Sequence, residues 1–299
     1  MKYLHKFMRA IGFGSLDNHK RLQELLTDVI LNADRRSIVK GQNGALTGEF
    51  CKDFANGLGI AVCGEFDEDE RFIYEYYYPY LEGSGITSCE DVSVERHAEK
   101  ESYAGVCDDI KVGMSLIFYL KNKIPYMRAM MNDKLPVRGT TLTLSALSVS
   151  GTILMPIQKN EQQVQKVKQA SAARNSLMAA ARKGDEDAIE TLTLEDMDMY
   201  TTISRRIQKE DIFSLVDTYF MPYGVECDLY SVLGEIMAIR QVTNQITGEK
   251  INIITICSNE LTFDVSINII DIYGEPKIGR RFKGVIWLQG NINFPEDFS

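Results

Sequence analysis

The residues best equipped for chemistry in the C-terminal third are Arg240, Arg280, Arg281, Lys283 and the only tryptophan, Trp287. Cationic side chains neutralise phosphates and an indole stacks on a base, so Arg240, Arg280, Arg281 and Trp287 are the candidate binding residues, and a small nucleic-acid groove is the less favoured use of them;. Residues 209–299 hold seven bases against thirteen acids, so such a groove exists only if the bases converge on one face;. Trp287 itself reads more readily as the anchor of a core or an interface;.

Other chemistry-bearing residues are scattered. Glu65-Phe66-Asp67-Glu68-Asp69-Glu70 offers carboxylates to a divalent cation, but acids between two strands normally form a solvated loop;. His97 sits among charges in Glu95-Arg96-His97-Ala98-Glu99, the pattern of a surface histidine. Phe72, Tyr74, Tyr76, Tyr78 and Tyr80 alternate along one face of a strand, with Glu75 and Tyr77 on the other; such rings fill cores or interfaces more readily than they stack ligands;. P-loop, complete Rossmann, zincin, nucleophile-elbow and calcium-loop patterns are absent from the chain;. Asn56-Gly57-Leu58-Gly59-Ile60 is a Rossmann fragment standing before a strand, where the motif should follow one;. An enzyme on this chain would use acids brought together by the fold, in a cleft between two β-rich domains and without a metal.

Three kinds of element must position these groups. Residues 1–158 read as one helix followed by strands. Leu22, Leu25, Leu26, Val29 and Ile30 recur at helical spacing, with Asp17 as the expected cap;. Strands are expected at 58–66, 72–80, 91–97, 113–120, 140–148 and 152–157. Residues 159–210 read as a helical linker: Lys159–Lys183 carries six bases and one acid, and Asp185–Asp198 seven acids and no base. Opposite charges on successive helices predict that they lean on one another or on the flanking domains. Gly184 is the expected stop, Asp185 the next cap, and Thr193 with Asp196 a further helix start.

Residues 211–299 read as a small closed barrel. Its strands are Leu229–Val242 with a bend at Gly234, Ile251–Cys257, Leu261–Ile269, Phe282–Gln289, and a short fifth after a turn at Gly290-Asn291. Thr247-Gly248 and Ser258-Asn259 mark hairpin turns. The expected class is therefore α+β: an N-terminal antiparallel or mixed sheet with a packed helix, a central helical segment, and a C-terminal OB-like β-barrel.

Composition bounds the partners. The chain has 299 residues, 44% hydrophobic, with 33 bases against 42 acids and a net charge of −9. An acidic field of that size opposes non-specific nucleic-acid and membrane binding. Six scattered cysteines without a CxxC pair, and only three histidines, predict reduced thiols, no metal and no cofactor;. No apolar run suits a signal peptide or a spanning helix, so the expected location is cytoplasmic. The expected partners are another protein, a second copy of the chain or a small regulator.

Two resemblances bear on function. Asp264-Val265-Ser266 resembles the start of the Asp-x-Ser-x-x-Gly motif of PilZ-type cyclic-dinucleotide barrels. Ile269 replaces its glycine, and Lys209 the second arginine of the Arg-x-x-x-Arg that would begin at Arg205. More extensively, Arg9-Ala10-Ile11-Gly12-Phe13, Leu147-Ser148-Val149-Ser150-Gly151 through Pro156-Ile157, and Trp287-Leu288-Gln289-Gly290 resemble a bacterial family of about this length, a domain of unknown function. That resemblance spans essentially the whole chain. It implies a bacterial intracellular protein and brings no catalytic residue. The leading expectation is a non-enzymatic binding or assembly module.

Overall fold

The computed structural model describes residues 4–16, 18–40, 44–96, 102–109, 111–132, 139–157, 161–207 and 211–295. A short 3-10 helix (Lys6–Ile11) precedes α1 (His19–Leu31). Four strands follow, β1 (Arg35–Lys40), β2 (Leu46–Ala55), β3 (Leu58–Phe66) and β4 (Phe72–Leu81), pairing in sequence order as an antiparallel sheet. Next come β5 (Val92–Arg96), β6 (Tyr103–Cys107), β7 (Leu116–Leu120), α2 (Lys123–Met131) and β8 (Thr141–Leu154). The helices α3 (Glu161–Arg182), α4 (Glu186–Ile207) and α5 (Ile212–Leu215) lead to β9 (Tyr219–Pro222), β10 (Leu229–Thr243) and β11 (Lys250–Ser258). The chain ends with β12 (Leu261–Asn268), β13 (Ile272–Tyr273) and β14 (Arg281–Asn293).

The barrel is a closed ring of five strands, β8–β12–β11–β10–β14, with β14 pairing back onto β8. Its one parallel pairing is β12 with β8. This is the pairing pattern of an OB-like barrel in which the strand that would come last in sequence comes first. The fifth strand differs from the sequence expectation. Gly290 and Asn291 do not turn: β14 runs through them, paired to Leu144 and Thr143. The fifth member is β8, a single strand where two were expected at 140–148 and 152–157. Gly151 lies mid-strand opposite Gly284, where an added Cβ would meet the Phe282 ring, so glycine here admits a core side chain and does not end the strand;. Beyond the ring, β14 pairs in parallel with β7, which carries β6 and β5 outward as a side sheet.

Two apolar cores follow from that layout. One fills the barrel and spreads to β7 and α2, with Phe263, Phe282, Ile254 and Leu144 fully enclosed. The other lies between the barrel's outer wall (Leu147, Ile251, Ile253, Trp287) and an N-terminal layer of α1, β2–β4 and the 3-10 helix. Leu22, Leu25, Leu26 and Val29 are the buried face of α1, as their spacing requires;. Its cap is Asn18, whose Oδ1 accepts from the Lys20 amide; the expected cap Asp17 lies outside the described residues.

The helical segment forms a hairpin. Gly184 takes φ +87° at the stop of α3, and Asp185 Oδ1 accepts from the Ala188 amide at the start of α4;. Thr193 begins no further helix, since its hydroxyl donates back to the Ile189 carbonyl in mid-helix;. The opposed charges do meet: Arg174 contacts Asp196 at 2.7 Å and Glu195 at 3.6 Å. Among the described residues no helix is long and apolar enough to cross a membrane.

Candidate functional site

The residues singled out in the C-terminal third do not form one groove. Arg281 and Trp287 stand about 20 Å apart along β14 at 3.3 Å per residue;. Arg240 lies on β10 five residues beyond Glu235, the partner of Arg281 and the end of the β10–β14 pairing. Arg281 is buried and donates to the carbonyls of Met155, Val216 and Phe213 at 2.8–3.0 Å, tying the segment before β9 to the barrel. Arg280 is held by Glu275, Arg240 reaches the Asn56 carbonyl, and Lys283 rests 4.2 Å from the Phe213 ring centroid. Trp287 is an anchor: it stacks on Phe7 at 5.4 Å and donates from Nε1 to Asp228 at 2.7 Å.

The remaining candidates are likewise structural. Asp264 accepts from Ser84 and Thr255, and Ser266 donates to the Ala10 carbonyl, so the PilZ-like residues are bound within the fold. Arg205 is exposed on α4, and Lys209 lies outside the described residues. Asp67 closes the β3–β4 turn by accepting from the Asp69 and Arg71 amides, leaving Glu68, Asp69 and Glu70 in solvent. His97 lies outside the described residues. No group of three or more His, Cys, Asp or Glu with metal-binding proximity occurs among the described residues.

The tyrosine strand leads to a feature the sequence did not announce. A bulge at Glu75 resets the alternation of β4, since Tyr74 and Tyr76 pair with the adjacent Gly64 and Cys63;. Tyr76, Tyr78 and Tyr80 then face the barrel side beside Glu49 and Asp53 of β2. The Tyr78 hydroxyl donates to Glu49 at 2.9 Å, and the Cys63 thiol lies 3.4 Å from the same carboxyl. Lys123 donates to the Tyr76 hydroxyl at 2.6 Å. Lys121 donates to the Leu81 carbonyl, to Ser145 at 3.2 Å and to Glu82 at 3.3 Å. Arg35 at 2.9 Å and Asn291 at 3.0 Å complete the shell of Glu82.

Burial dominates the electrostatics of this seam. It raises the Glu49 carboxyl above the ordinary carboxylate range against the opposing charge of Lys123, and it lifts the Cys63 thiol to about 12;. Burial also works to raise Glu82, but the charges of Lys121 and Arg35 and its hydrogen bonds outweigh it, so that carboxyl stays low. Lys121 is lowered by its own burial despite Glu82. This is the convergence of acids between two β-rich layers that an enzyme would need. Every group named in it is engaged by neighbours, and none of them lines the open cleft described next. The seam locks sheet to barrel.

An open concavity lies beside α1, at the turn between β10 and β11. A cleft of about 390 Å³ is lined by Phe13, Ser15 and Leu16, by Arg21, Leu25 and Asp28 of α1, and by Ile246 and Thr247 of the β10–β11 turn. Its walls are fixed from both sides. Gly12 takes φ +86°, and the Asn244 side chain stands where its Cβ would be, so only glycine lets the chain turn there;. Asn244 donates to the Ile11 carbonyl at 2.9 Å and Thr247 to the Gly12 carbonyl at 2.6 Å. The Glu249 carboxylate accepts the Gly14 and Ser15 amides at 3.0 Å each and Asn268 at 2.7 Å. Burial works to raise that carboxyl, and these hydrogen bonds overcome it and hold it low.

On the helical wall, Arg21, Leu25 and Asp28 share a face at i, i+4 and i+7. Asp28 is paired to Lys52 and Asn32 at 2.7 Å each, and the hydrogen bond from Lys52 is the first cause of its lowered pKa. Arg21 is exposed and forms no ion pair among the described residues. The cleft thus offers an apolar floor, one available cation and hydroxyls at its rim, the composition of a small-ligand site. The sequence held two of its signals, the helical face of α1 and the Thr247-Gly248 turn, without anything to bring them together.

The sequence matches the family described as domain of unknown function, E. rectale gene description (DUF3881), over residues 8–290. The chain belongs to this family. No curated protein and no solved structure matches it. The three DUF3881-like segments of the sequence converge in the fold: Leu147 pairs with Trp287 across β8 and β14, and Ala10 accepts from Ser266 on the neighbouring strand. Within them Gly12 turns the chain, Leu147 and Trp287 pack in the core and Gly290 lies mid-strand, while Phe13 of the first segment also lines the cleft.

Proposed function

We propose that this DUF3881 member is a cytoplasmic, non-enzymatic binding module that takes a small amphipathic anion in the cleft between α1 and the β10–β11 turn. The observation carrying this reading is the cleft itself: apolar side chains from three separated segments, a pinned backbone, and Arg21 at the rim without an ionic partner among the described residues. A guanidinium favours a carboxylate or phosphate, and Phe13, Leu16, Leu25 and Ile246 favour a hydrocarbon or ring body. The volume suits a ligand of a few hundred daltons. Against an enzymatic role for the buried acids stands their enclosure, since Glu49 hydrogen-bonds to Tyr78 and Cys63 inside the seam.

The test uses the fluorescent anion anilinonaphthalene sulfonate and native mass spectrometry of the purified chain. Saturable dye fluorescence is expected, together with a retained ligand mass on a fraction of the 33.8 kDa subunit. Ile246 is 58% exposed, so Ile246→Trp fills the cleft without disturbing the core and abolishes the fluorescence. Arg21→Glu weakens dye binding about tenfold or more. Dye binding that both variants leave untouched would overturn the assignment.

A further inference from the structure

The α3–α4 hairpin buries almost nothing of its own. Among its described residues Ala188 is the one fully buried apolar side chain, while Ile189, Leu194, Met197 and Tyr200 of α4 are 47–76% exposed. Two helices of 22 residues do not hold an apolar face open to water without cause, because helices in proteins draw most of their stability from covering such a face;. The body of the protein does not cover it. Among the described residues the hairpin's hydrogen bonds to the body come from α3: Ser171 bonds Glu260 and Arg182 donates to the Asp108 carbonyl at 3.1 Å, while Met178 lies near Gly113.

What fits this face is written in the hairpin. The outer side of α4 interleaves its large apolar residues with Glu186, Asp187, Glu190 and Asp198, all exposed. The free side of α3 presents small exposed residues, Ala172, Ala173 and Ser176, in a segment whose charges are overwhelmingly basic. Large side chains over small ones and acids over bases are the two complementarities that pack helices closely. Arg174 already shows the electrostatic half within one chain, through Glu195 and Asp196.

We infer that α4 docks on α3 of a second copy of this chain, forming an antiparallel four-helix bundle about a two-fold axis. An isologous interface satisfies both hairpins at once, each supplying one acidic apolar helix and one basic small-residue helix. A heterologous partner would leave that self-complementarity unused. This assembly rests on α3 and α4 and is independent of ligand binding in the cleft.

The test is the oligomeric state of the full chain by light scattering across a concentration series. A species of twice the 33.8 kDa subunit mass is expected, weakening with added salt as screening removes the acid–base attraction;. A subunit-mass species at every concentration, or a dimer that tightens with salt, overturns the inference. The double variant Met197→Glu, Tyr200→Glu is expected to weaken dimerisation at least about tenfold, since charges replace the centre of the apolar face. Its barrel fold is checked by near-ultraviolet circular dichroism. A dimer unaffected by that variant overturns the inference. Hydrogen exchange on the unmodified chain guards against a variant that misfolds: protection of 186–207 must rise with protein concentration, and concentration-independent exchange overturns it.

Discussion

The seam between the N-terminal sheet and the barrel, and the α3–α4 hairpin, are both rich in charge and behave in opposite ways. In the seam, Lys121 and Lys123 are 6% and 2% exposed, and their ammonium groups are bonded to tyrosine, serine, carbonyl and carboxylate oxygens. In the hairpin, Arg174 meets Glu195 and Asp196 at a surface where all three side chains are at least one-third exposed. Water screens the second set and is excluded from the first. The same residue types therefore fix one interface rigidly and only bias the other.

This contrast can be broken at several points. The largest loss is expected in the barrel interior, where Phe282→Ala should destabilise by about 3–5 kcal/mol in denaturant unfolding, because the enclosed ring cannot be replaced by solvent;. Next comes Lys121→Met, which leaves Glu82, Ser145 and the Leu81 carbonyl short of a donor. A loss of about 3 kcal/mol is expected, and a loss below about 1 kcal/mol would show that the seam tolerates vacancy as the hairpin does;.

The third test is pH dependence. The folded Glu49 carboxyl lies above its ordinary value, so it favours folding while protonated. That contribution is present below the ordinary carboxylate pKa and is lost as pH rises through the folded value;. Glu49→Gln, which keeps the acceptor for Tyr78 without the charge, should flatten this decline in melting temperature toward neutral pH. Asp28 and Glu82 have the opposite sign: their contributions are present above the ordinary carboxylate pKa and are lost as pH falls through their lowered values. The smallest effect is expected from Arg174→Ala, under about 1 kcal/mol and confined to the hairpin, read as faster amide exchange in α3 and α4 with the barrel unchanged.

Much of the fold was legible because local periodicity carries it. β12 alternates without a break, β3 occupies the expected 58–66, and the charge reversal at Gly184 marks the hairpin turn. β2 was hidden because its barrel-facing side carries Glu49, Cys51 and Asp53, polar residues that read as a solvated face. The cleft was hidden for a different reason. Arg21 and Ile246 are ordinary surface residues in sequence, more than two hundred positions apart, and meet because Asn244, Thr247 and Glu249 pin the turn to Ile11–Ser15.

The sequence by itself determined the α+β class, the helical face of α1, the meander β10–β11–β12 and the electrostatic split of α3 and α4, because each is encoded within one or two turns or strands of chain. Tertiary structure alone decided that β8 closes the barrel, that β14 runs straight through Gly290, that Arg281 serves packing, and that acids and lysines share a dry seam. Pairing partners and desolvation depend on residues distant in sequence, and no local pattern specifies which carboxyl will lose its water or which strand will find the open edge.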